Sequence, residues 1–384
     1  NTLYYGDLQS STAGTSNFRA GVNAGNSITS GGNYNVLIGD EAGTAITTGD
    51  NNVAIGFEAL ATEDANGDNV AIGYRALKTL NAGADSFNTA VGYLAGTNMT
   101  TGIENAIFGS FAGDALTDAD YNVAIGGSTL SADTKGNRSV AVGFGALAAQ
   151  NFTTSTDSHN TAVGNNSGND ITTGVSNTFI GSQSGEKLID ANYNVGLGHY
   201  ALAADTKGSN SVALGYGALS SQNFTTATDA NNVAIGFSSG SQVTTGTVNT
   251  FVGKDSGRLL TVGHHNTAIG NEAMENNING SNSVAIGSFA LQDQTFDTAT
   301  DANNVAVGYA AGANITSGIS NTIIGSLAGD ALTDADFNVA IGLGSLGADT
   351  RGSKSVAVGT ACLQAQNFTT ATDTHNTAVG HNAG

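Results

Sequence analysis

The sequence predicts an all-β protein built as a parallel β-solenoid, a stack of short coils in which equivalent segments pair side by side. Three observations predict this fold. A five-residue motif recurs along nearly the whole chain, its apolar residues alternate with a period of two, and none of the 384 residues is proline. Average usage would give about 5% proline. Its absence favours a structure in which most backbone N–H groups form ladder hydrogen bonds.

The motif consists of Asn or Ser, Val or Thr, a mostly small residue, an apolar residue and Gly. Its closing glycine marks 21 copies, from Gly21 to Gly380. Most copies follow one another at seventeen positions, and from Gly92 onward every fourth interval is twenty-one, which gives a four-coil superperiod of seventy-two positions. The residue four places after the motif glycine follows the same period, in the order Gly, Gly, Leu, Leu. Representative ladder residues are Asn52, Val53, Ile55, Gly56, Asn88, Gly92, Asn160, Gly164, Asn232, Gly236, Asn304, Gly308, Asn376 and Gly380.

We therefore expect about 21 coils, each of seventeen residues in the common case, over positions 17–384, preceded by a segment (1–16) that continues from a longer protein. The four-coil units would end near residues 87, 159, 231, 303 and 375. One coil cannot bury a face by itself, so stability would come from stacking. At about 4.8 Å per coil, the stack would be a rod about 100 Å long.

The alternation within the motif predicts which side chains are stacked in the interior. Val53 and Ile55 flank Ala54, which predicts continuous buried ladders of Val and Ile, and the motif Asn predicts a ladder of amides at a turn. Few large apolar residues are available per coil, whereas Ala and Gly are abundant. This composition favours close packing of three chains as a homotrimer. The single cysteine, Cys362, falls in a slot of small residues and is expected to be a small buried side chain.

The motif and the residues that follow it resemble two families. The element Asn/Ser-Val-Ala-Ile-Gly-x-x-Ala resembles the head repeat of trimeric autotransporter adhesins, the YadA-like head. The segments 88–96 and 376–384 resemble the Asn-Thr-Ala-x-Gly-x-x-Ala-Gly repeats of viral tail-fibre proteins. The resemblance implies a left-handed parallel β-roll in a homotrimer. Coils longer than those of the autotransporter head, together with Thr-Thr-Gly turns, favour the fibre type.

The expected function is that of an extracellular structural fibre or adhesin module, and not of an enzyme. A viral tail or attachment fibre is the first hypothesis, and a bacterial cell-surface trimeric adhesin is the alternative. An ice- or crystal-surface-binding solenoid is an alternative of another class. The expected partners are further copies of the chain and a glycan or protein receptor on a host surface. A net charge of −20 argues against nucleic acid and anionic membranes as partners. Membrane insertion of this segment is not expected, because no apolar run is long enough to span a bilayer.

The four longest intervals of the repeat hold the candidate contact residues. Four extra residues in a coil must bulge from the stack, and each bulge contains a phenylalanine and an aspartate. They could contact a sugar or a protein, with weak single contacts strengthened by repetition. Alternatively, the phenylalanine packs against the solenoid or a neighbouring subunit. The residues are Phe152, Asp157, Phe224, Asp229, Phe296, Asp301, Phe368 and Asp373.

No metal or cofactor is predicted from the other polar constellations. Asp118 with Asp120, and Asp334 with Asp336, leave Ca²⁺ open, but the full twelve-residue calcium loop is missing, which favours solvated turn acids. The histidines lack the spacing of zinc ligands. They are His159, His375 and the pair His264–His265.

Overall fold

The structure is a computed structural model that describes residues 13–384. Two compact units divide between Asp190 and Ala191. Within the described residues each unit contains β-strands and turns and no helix. Each unit is a parallel β-solenoid, and the two together contain about 21 coils, most of them of seventeen residues. The predicted fold class is therefore confirmed at this level.

Every coil contributes one three-residue strand from its motif. In the first unit the strands are Phe18–Ala20, Val36–Ile38, Val53–Ile55, Val70–Ile72, Thr89–Val91, Ala106–Phe108, Val123–Ile125, Val140–Val142, Thr161–Val163 and Thr178–Ile180. In the second unit they are Val195–Leu197, Val212–Leu214, Val233–Ile235, Thr250–Val252, Thr267–Ile269, Val284–Ile286, Val305–Val307, Thr322–Ile324, Val339–Ile341, Val356–Val358 and Thr377–Val379.

Two-residue strands form a second kind of parallel pair beside the long coils. In the first unit Gly136–Asn137 pairs with Thr156–Asp157. The pairs in the second unit are Gly208–Ser209 with Thr228–Asp229, Gly280–Ser281 with Thr300–Asp301, and Gly352–Ser353 with Thr372–Asp373. The extra residues of each long coil are thus tied by backbone pairing to the coil before it.

Equivalent residues of successive coils stand in register. Val53 pairs with Val70, Ala54 with Ala71 and Ile55 with Ile72. The strand ends at the motif glycine because that residue has a positive φ and touches the next coil. At Gly56, φ is 135° and a Cβ would lie 2.3 Å from the carbonyl oxygen of Gly73, closer than any side chain tolerates.

The interior of each coil is lined by the middle residue of the strand and not by its flanks. Ala54 is fully buried, whereas Val53 and Ile55 lie half-buried on the outer side of the sheet. The same pattern recurs in strand after strand, for example Thr267–Ile269, where Ile269 is 38% exposed. In the single chain, therefore, the prediction of buried Val and Ile ladders is wrong. The central residue faces the interior, most often as alanine but as phenylalanine at Phe179 and Phe251, and the flanking, mostly β-branched residues form the outer face.

Two slots share the task of filling this interior. Where the residue four places after the motif glycine is Gly, an apolar residue follows three places later and takes the space, as at Gly113, whose Cβ would lie 2.7 Å from Leu116 Cδ1. Where it is Leu, the later residue is polar in all coils but one, as in Leu130 and Asp133. Leu77 with Leu80 is the exception. In the Gly coils the later position fills the interior, and in the Leu coils the earlier one does. This exchange explains the Gly, Gly, Leu, Leu order seen in the sequence.

Candidate functional site

A buried ladder of asparagine side chains runs through the coils. The backbone N–H of Asn52 donates to Asn35 Oδ1 at 2.9 Å, and that of Asn69 donates to Asn52 Oδ1 at 3.1 Å. Each side-chain amide also donates to a backbone carbonyl, for example Asn52 Nδ2 to the oxygen of Asn66 at 3.1 Å. The ladder residues Asn52, Asn88, Asn160, Asn232 and Asn304 are fully buried, and Asn376, in the last coil, is exposed. The motif asparagine is a structural residue.

Serine interrupts this ladder, and a glutamine from the same coil replaces the missing amide. Gln150 Nε2 donates to Ser139 Oγ at 2.9 Å, and Gln150 Oε1 accepts from Asn160 Nδ2 at 2.9 Å. The same substitution recurs as Ser211 with Gln222, Ser283 with Gln294 and Ser355 with Gln366. The ladder is thus continuous in hydrogen bonds although it is not continuous in asparagine.

The same glutamine reaches a buried carboxylate that fixes the long coil. Asp133 is fully buried and accepts three hydrogen bonds: from Gln150 Nε2 at 2.5 Å, from the N–H of Gly136 at 3.0 Å and from the N–H of Phe152 at 3.1 Å. Asp205 and Asp349 make the equivalent bonds. In the remaining four-coil repeat, Asn277 occupies the same position. Buried acids and amides here hold the start of each bulge.

The predicted contact phenylalanines lie inside the fold. Phe152, Phe224 and Phe296 are only 5–8% exposed, and Phe368, in the last long coil, is half-buried. The backbone N–H groups of Phe152 and Phe224 are also held by the buried acids Asp133 and Asp205. These side chains therefore offer a partner almost no surface. For the three buried phenylalanines, the structure agrees with the alternative that the ring packs against the solenoid. Their proposed role as contact residues is corrected here, because a partner cannot reach a buried ring.

The aspartates of the same loops are exposed and reach one coil back. Asp229 Oδ1 accepts from Asn210 Nδ2 at 2.9 Å, and Asp301 accepts from Asn282 at the same distance. Asp157 lies 3.2 Å from Arg138 Nε, and Asp373 lies 2.5 Å from Lys354 Nζ. The hydrogen bond from Lys354 lowers the pKa of Asp373. These aspartates, unlike the phenylalanines, are available to a ligand.

The turn acids considered for calcium make hydrogen bonds or ion pairs within the chain, Asp334 with Arg351 at 3.5 Å. Asp120 Oδ1 accepts from the N–H of Ile103 at 2.9 Å, and Asp336 Oδ1 accepts from that of Ile319 at 2.8 Å. Asp118 accepts from Thr101 Oγ1 at 3.0 Å. Among residues 13–384 no group of three or more His, Cys, Asp and Glu side chains is arranged to hold a metal ion.

The four histidines singled out in the sequence differ in exposure: one is half-buried and three are exposed. His264 Nδ1 accepts from the N–H of Thr247 at 3.0 Å, and burial, with His265 beside it, lowers the pKa of His264. His159, His265 and His375 are exposed. Cys362 is buried, and its Sγ lies 3.1 Å from the carbonyl oxygen of Ala378.

The structure adds two rows of positions outside the motif at which several coils expose an aromatic residue. The post-glycine row consists of the residue directly after each motif glycine. In it Phe57 stacks on Tyr74 and Tyr74 on Tyr93, with ring centroids 5.6 and 5.2 Å apart, and Tyr216 stacks on Phe237 at 5.3 Å. Each stacked contact covers one face of each of the two rings.

The second row, here called the turn row, consists of the residue directly before the Asn or Ser of each motif. Tyr193 and Phe337 of this row are 60% and 52% exposed. Both rows vary from coil to coil, so a search for constant positions passes over them. The available signal was the superperiod itself, since one four-coil unit separates Tyr121 from Tyr193 and Tyr193 from His265.

In the described part of the chain no helix is long and apolar enough to cross a membrane. Comparison of the chain with protein-family models, with curated proteins and with solved structures gives no match.

Proposed function

We propose that this chain is a structural fibre module: a homotrimeric shaft, outside the cell or on a virion, that presents repeated loops for attachment to a host or surface. The observation that carries the proposal is the apolar outer face of each sheet. Val and Ile from successive strands form it, and side chains such as Ile125 and Ile235 are about 40% exposed in the single chain. Contiguous apolar surface of this kind marks an interaction site.

The dimensions of this face suit an interface between copies of the chain. A three-residue strand is about 10 Å long and the strands repeat about every 4.8 Å, so ten or eleven strands give about 500 Å² per unit. Each unit therefore supplies an apolar area of the same order as the area of about 800 Å² per partner that a standard interface buries. Identical ladders on three chains are matched in composition and spacing. A homotrimer would bury the Val and Ile side chains that the monomer leaves exposed.

The resemblance to tail-fibre repeats makes a viral tail or attachment fibre the first context, and a bacterial trimeric adhesin the alternative. In this proposal the repeat that was duplicated to build the chain is the four-coil unit. The coils wind with the left-handed sense of the β-roll. Ice binding is less well supported, because the first threonine of the Thr-Thr-Gly turns is engaged. Thr100 Oγ1, for example, donates to the carbonyl oxygen of Thr117 at 3.0 Å. Such hydroxyls serve the stack and not an external lattice.

The solution mass tests the proposal directly. Light scattering after size exclusion is expected to give three times the chain mass of 38.2 kDa. A monomer at micromolar concentration would overturn the trimer and require another occupant for the Val and Ile face.

A further inference from the structure

The turn row places bulky side chains where the backbone does not favour them. All of its residues described by the structure have a positive φ, between 50° and 62°. Asparagine adopts this conformation readily and occupies the row at Asn210, Asn231 and Asn282, whereas aromatic residues adopt it with strain. Tyr193, at 59°, and Phe337, at 57°, are also exposed. The coil imposes this φ on every residue of the row, so what distinguishes Tyr193 and Phe337 is a large aromatic ring exposed at a position where the backbone favours a smaller residue.

Polar side chains stand beside these rings in a repeated arrangement. The next residue of the row after Tyr193 is Asn210, and Asn210 Nδ2 donates to Asp229 Oδ1 at 2.9 Å. Asp229 is brought there by the pairing of its two-residue strand with Gly208–Ser209. The first unit has the same order: the guanidinium of Arg138 lies 4.7 Å from the ring centroid of Tyr121 and its Nε lies 3.2 Å from Asp157. The loop therefore delivers an acid to the aromatic row.

The chemistry of this cluster matches a neutral sugar. A pyranose has an apolar face of C–H groups, which an aromatic ring accommodates, and a rim of hydroxyls, which a carboxylate and an amide bind. Asp229 and Asp301 pair with neutral asparagines, which in a chain of net charge −20 disfavours acidic sugars at these two positions, whereas Asp373 pairs with Lys354. In the second unit the clusters around Tyr193, His265 and Phe337 recur every four coils, about 19 Å apart. Separate small sites at this pitch suit a repeating saccharide better than one continuous protein surface.

We propose that the turn row of the second unit binds neutral hexose oligosaccharides through Tyr193, His265 and Phe337, with Asp229, Asp301 and Asp373 binding the sugar hydroxyls. The proposal rests on the attachment function proposed above and names its ligand class. Each contact is weak, and several clusters acting on one chain or on three strengthen the binding.

The test uses the full chain and three probes: maltohexaose, cellohexaose and mannohexaose, with sialyllactose as the acidic comparator. Saturation-transfer NMR and calorimetry are expected to detect binding of at least one neutral probe. The combined variant Tyr193→Asn, His265→Asn and Phe337→Asn should weaken that binding at least tenfold. Asparagine is the row's own residue in other coils, so the fold should be kept. The control Tyr216→Ala with Phe237→Ala removes a stacked pair of similar exposure from the post-glycine row and should leave the binding unchanged.

Two results would overturn the proposal: no binding of any neutral probe, or equal binding by the asparagine variant. Binding lost only in the Tyr216 and Phe237 control would move the site to the post-glycine row and refute the turn row. The light-scattering mass is independent of these outcomes. A trimer that binds no sugar would therefore contradict the ligand class alone, whereas a monomer would contradict the proposed function itself.

Discussion

The side-chain amide of Gln150 lies 2.5 Å from the buried carboxylate of Asp133, one coil earlier, and the second unit repeats this bond between Gln222 and Asp205. The bond joins two different coils, each with its own polar residue in the slot that other coils fill with an apolar side chain. It therefore specifies which coil stacks on which. A slip by one coil would place the carboxylate against an apolar side chain.

We expect Gln222→Ala to destabilise the coils around it by about 3 kcal/mol, since the buried carboxylate of Asp205 loses its side-chain donor. Stacked coils open locally. Hydrogen exchange of the amides between residues 205 and 232 is therefore the suitable measurement. The exposed Gln242→Ala in the same unit should leave protection unchanged. Equal protection in both variants would contradict a stabilising role for the Gln–Asp bond.

We expect Asp205→Asn to be milder, because Asn277 already occupies the equivalent slot and its Oδ1 accepts from the N–H of Gly280 at 2.9 Å. The expected loss is about 1 kcal/mol, the value of one ordinary hydrogen bond. The same exchange experiment measures it. A loss as large as that of Gln222→Ala would mean that the charge, and not the hydrogen-bond geometry, is what this slot requires.

The sequence predicted the coil and its pairing because both follow from constant positions. The motif fixes the strand, as in Val53–Ile55, and identical motifs stack in register. The sequence did not predict which side chains of the strand face inward. Alternation with a period of two looks the same whichever of the two sets is buried. Here Ala54 faces the interior and Ile55 the outside, although the same inward position accepts a phenylalanine at Phe179.

The polar core was missed for a different reason. Ser139 and Gln150 compensate each other across one coil, and such a pair is visible only when the interior is known. The loops illustrate the same limit. Phe152 and Asp157 share one bulge in the sequence, but the structure buries the first and exposes the second.

We expect Gly253→Ala to disrupt the second unit, because φ is 136° there and the new Cβ would lie 2.3 Å from the carbonyl oxygen of Gly270. Relief requires two coils to separate, so the expected loss exceeds about 3 kcal/mol. Gly217→Ala is the matched control, with φ at 64° and no atom nearer than 3.9 Å. It should cost only about 1 kcal/mol, the strain of a left-handed alanine. Urea denaturation of both variants measures the difference, and similar midpoints would contradict close coil contact at the motif glycine.

We expect Glu63→Gln to stabilise the first unit at neutral pH. Glu63 is fully buried, and burial raises the pKa of its carboxyl above the ordinary 4.5. A raised pKa in the folded state gives stability that is present below the ordinary value and is lost as the pH rises through the folded value. At neutral pH the fold therefore contains a buried charge that the variant removes.

The measurement is the urea midpoint of both proteins at about pH 3.5 and at pH 7. The variant should have the higher midpoint at pH 7 and a similar one at the lower pH. Glu104→Gln, at an exposed residue, provides the control and should change neither midpoint. A lower midpoint for Glu63→Gln at pH 7 would show that the charged carboxylate, held by Asn66 Nδ2 at 2.9 Å, stabilises the coil instead.

We expect Ile269→Asp combined with Ile286→Asp to dissociate the proposed trimer without unfolding the chain. The two side chains pair in register on the outer face and are each 38% exposed in the single chain, so a monomer tolerates aspartate there. In a trimer the same carboxylates would be buried in rows against an apolar surface, at a cost that exceeds the gain from the remaining contacts. Light scattering should fall from three chain masses to one while the far-ultraviolet circular dichroism is kept. Thr245→Asp, at an exposed turn, adds a charge away from this face and should leave the mass unchanged. A variant that still has three times the chain mass would place the subunit contact elsewhere and leave the Val and Ile face for a different partner.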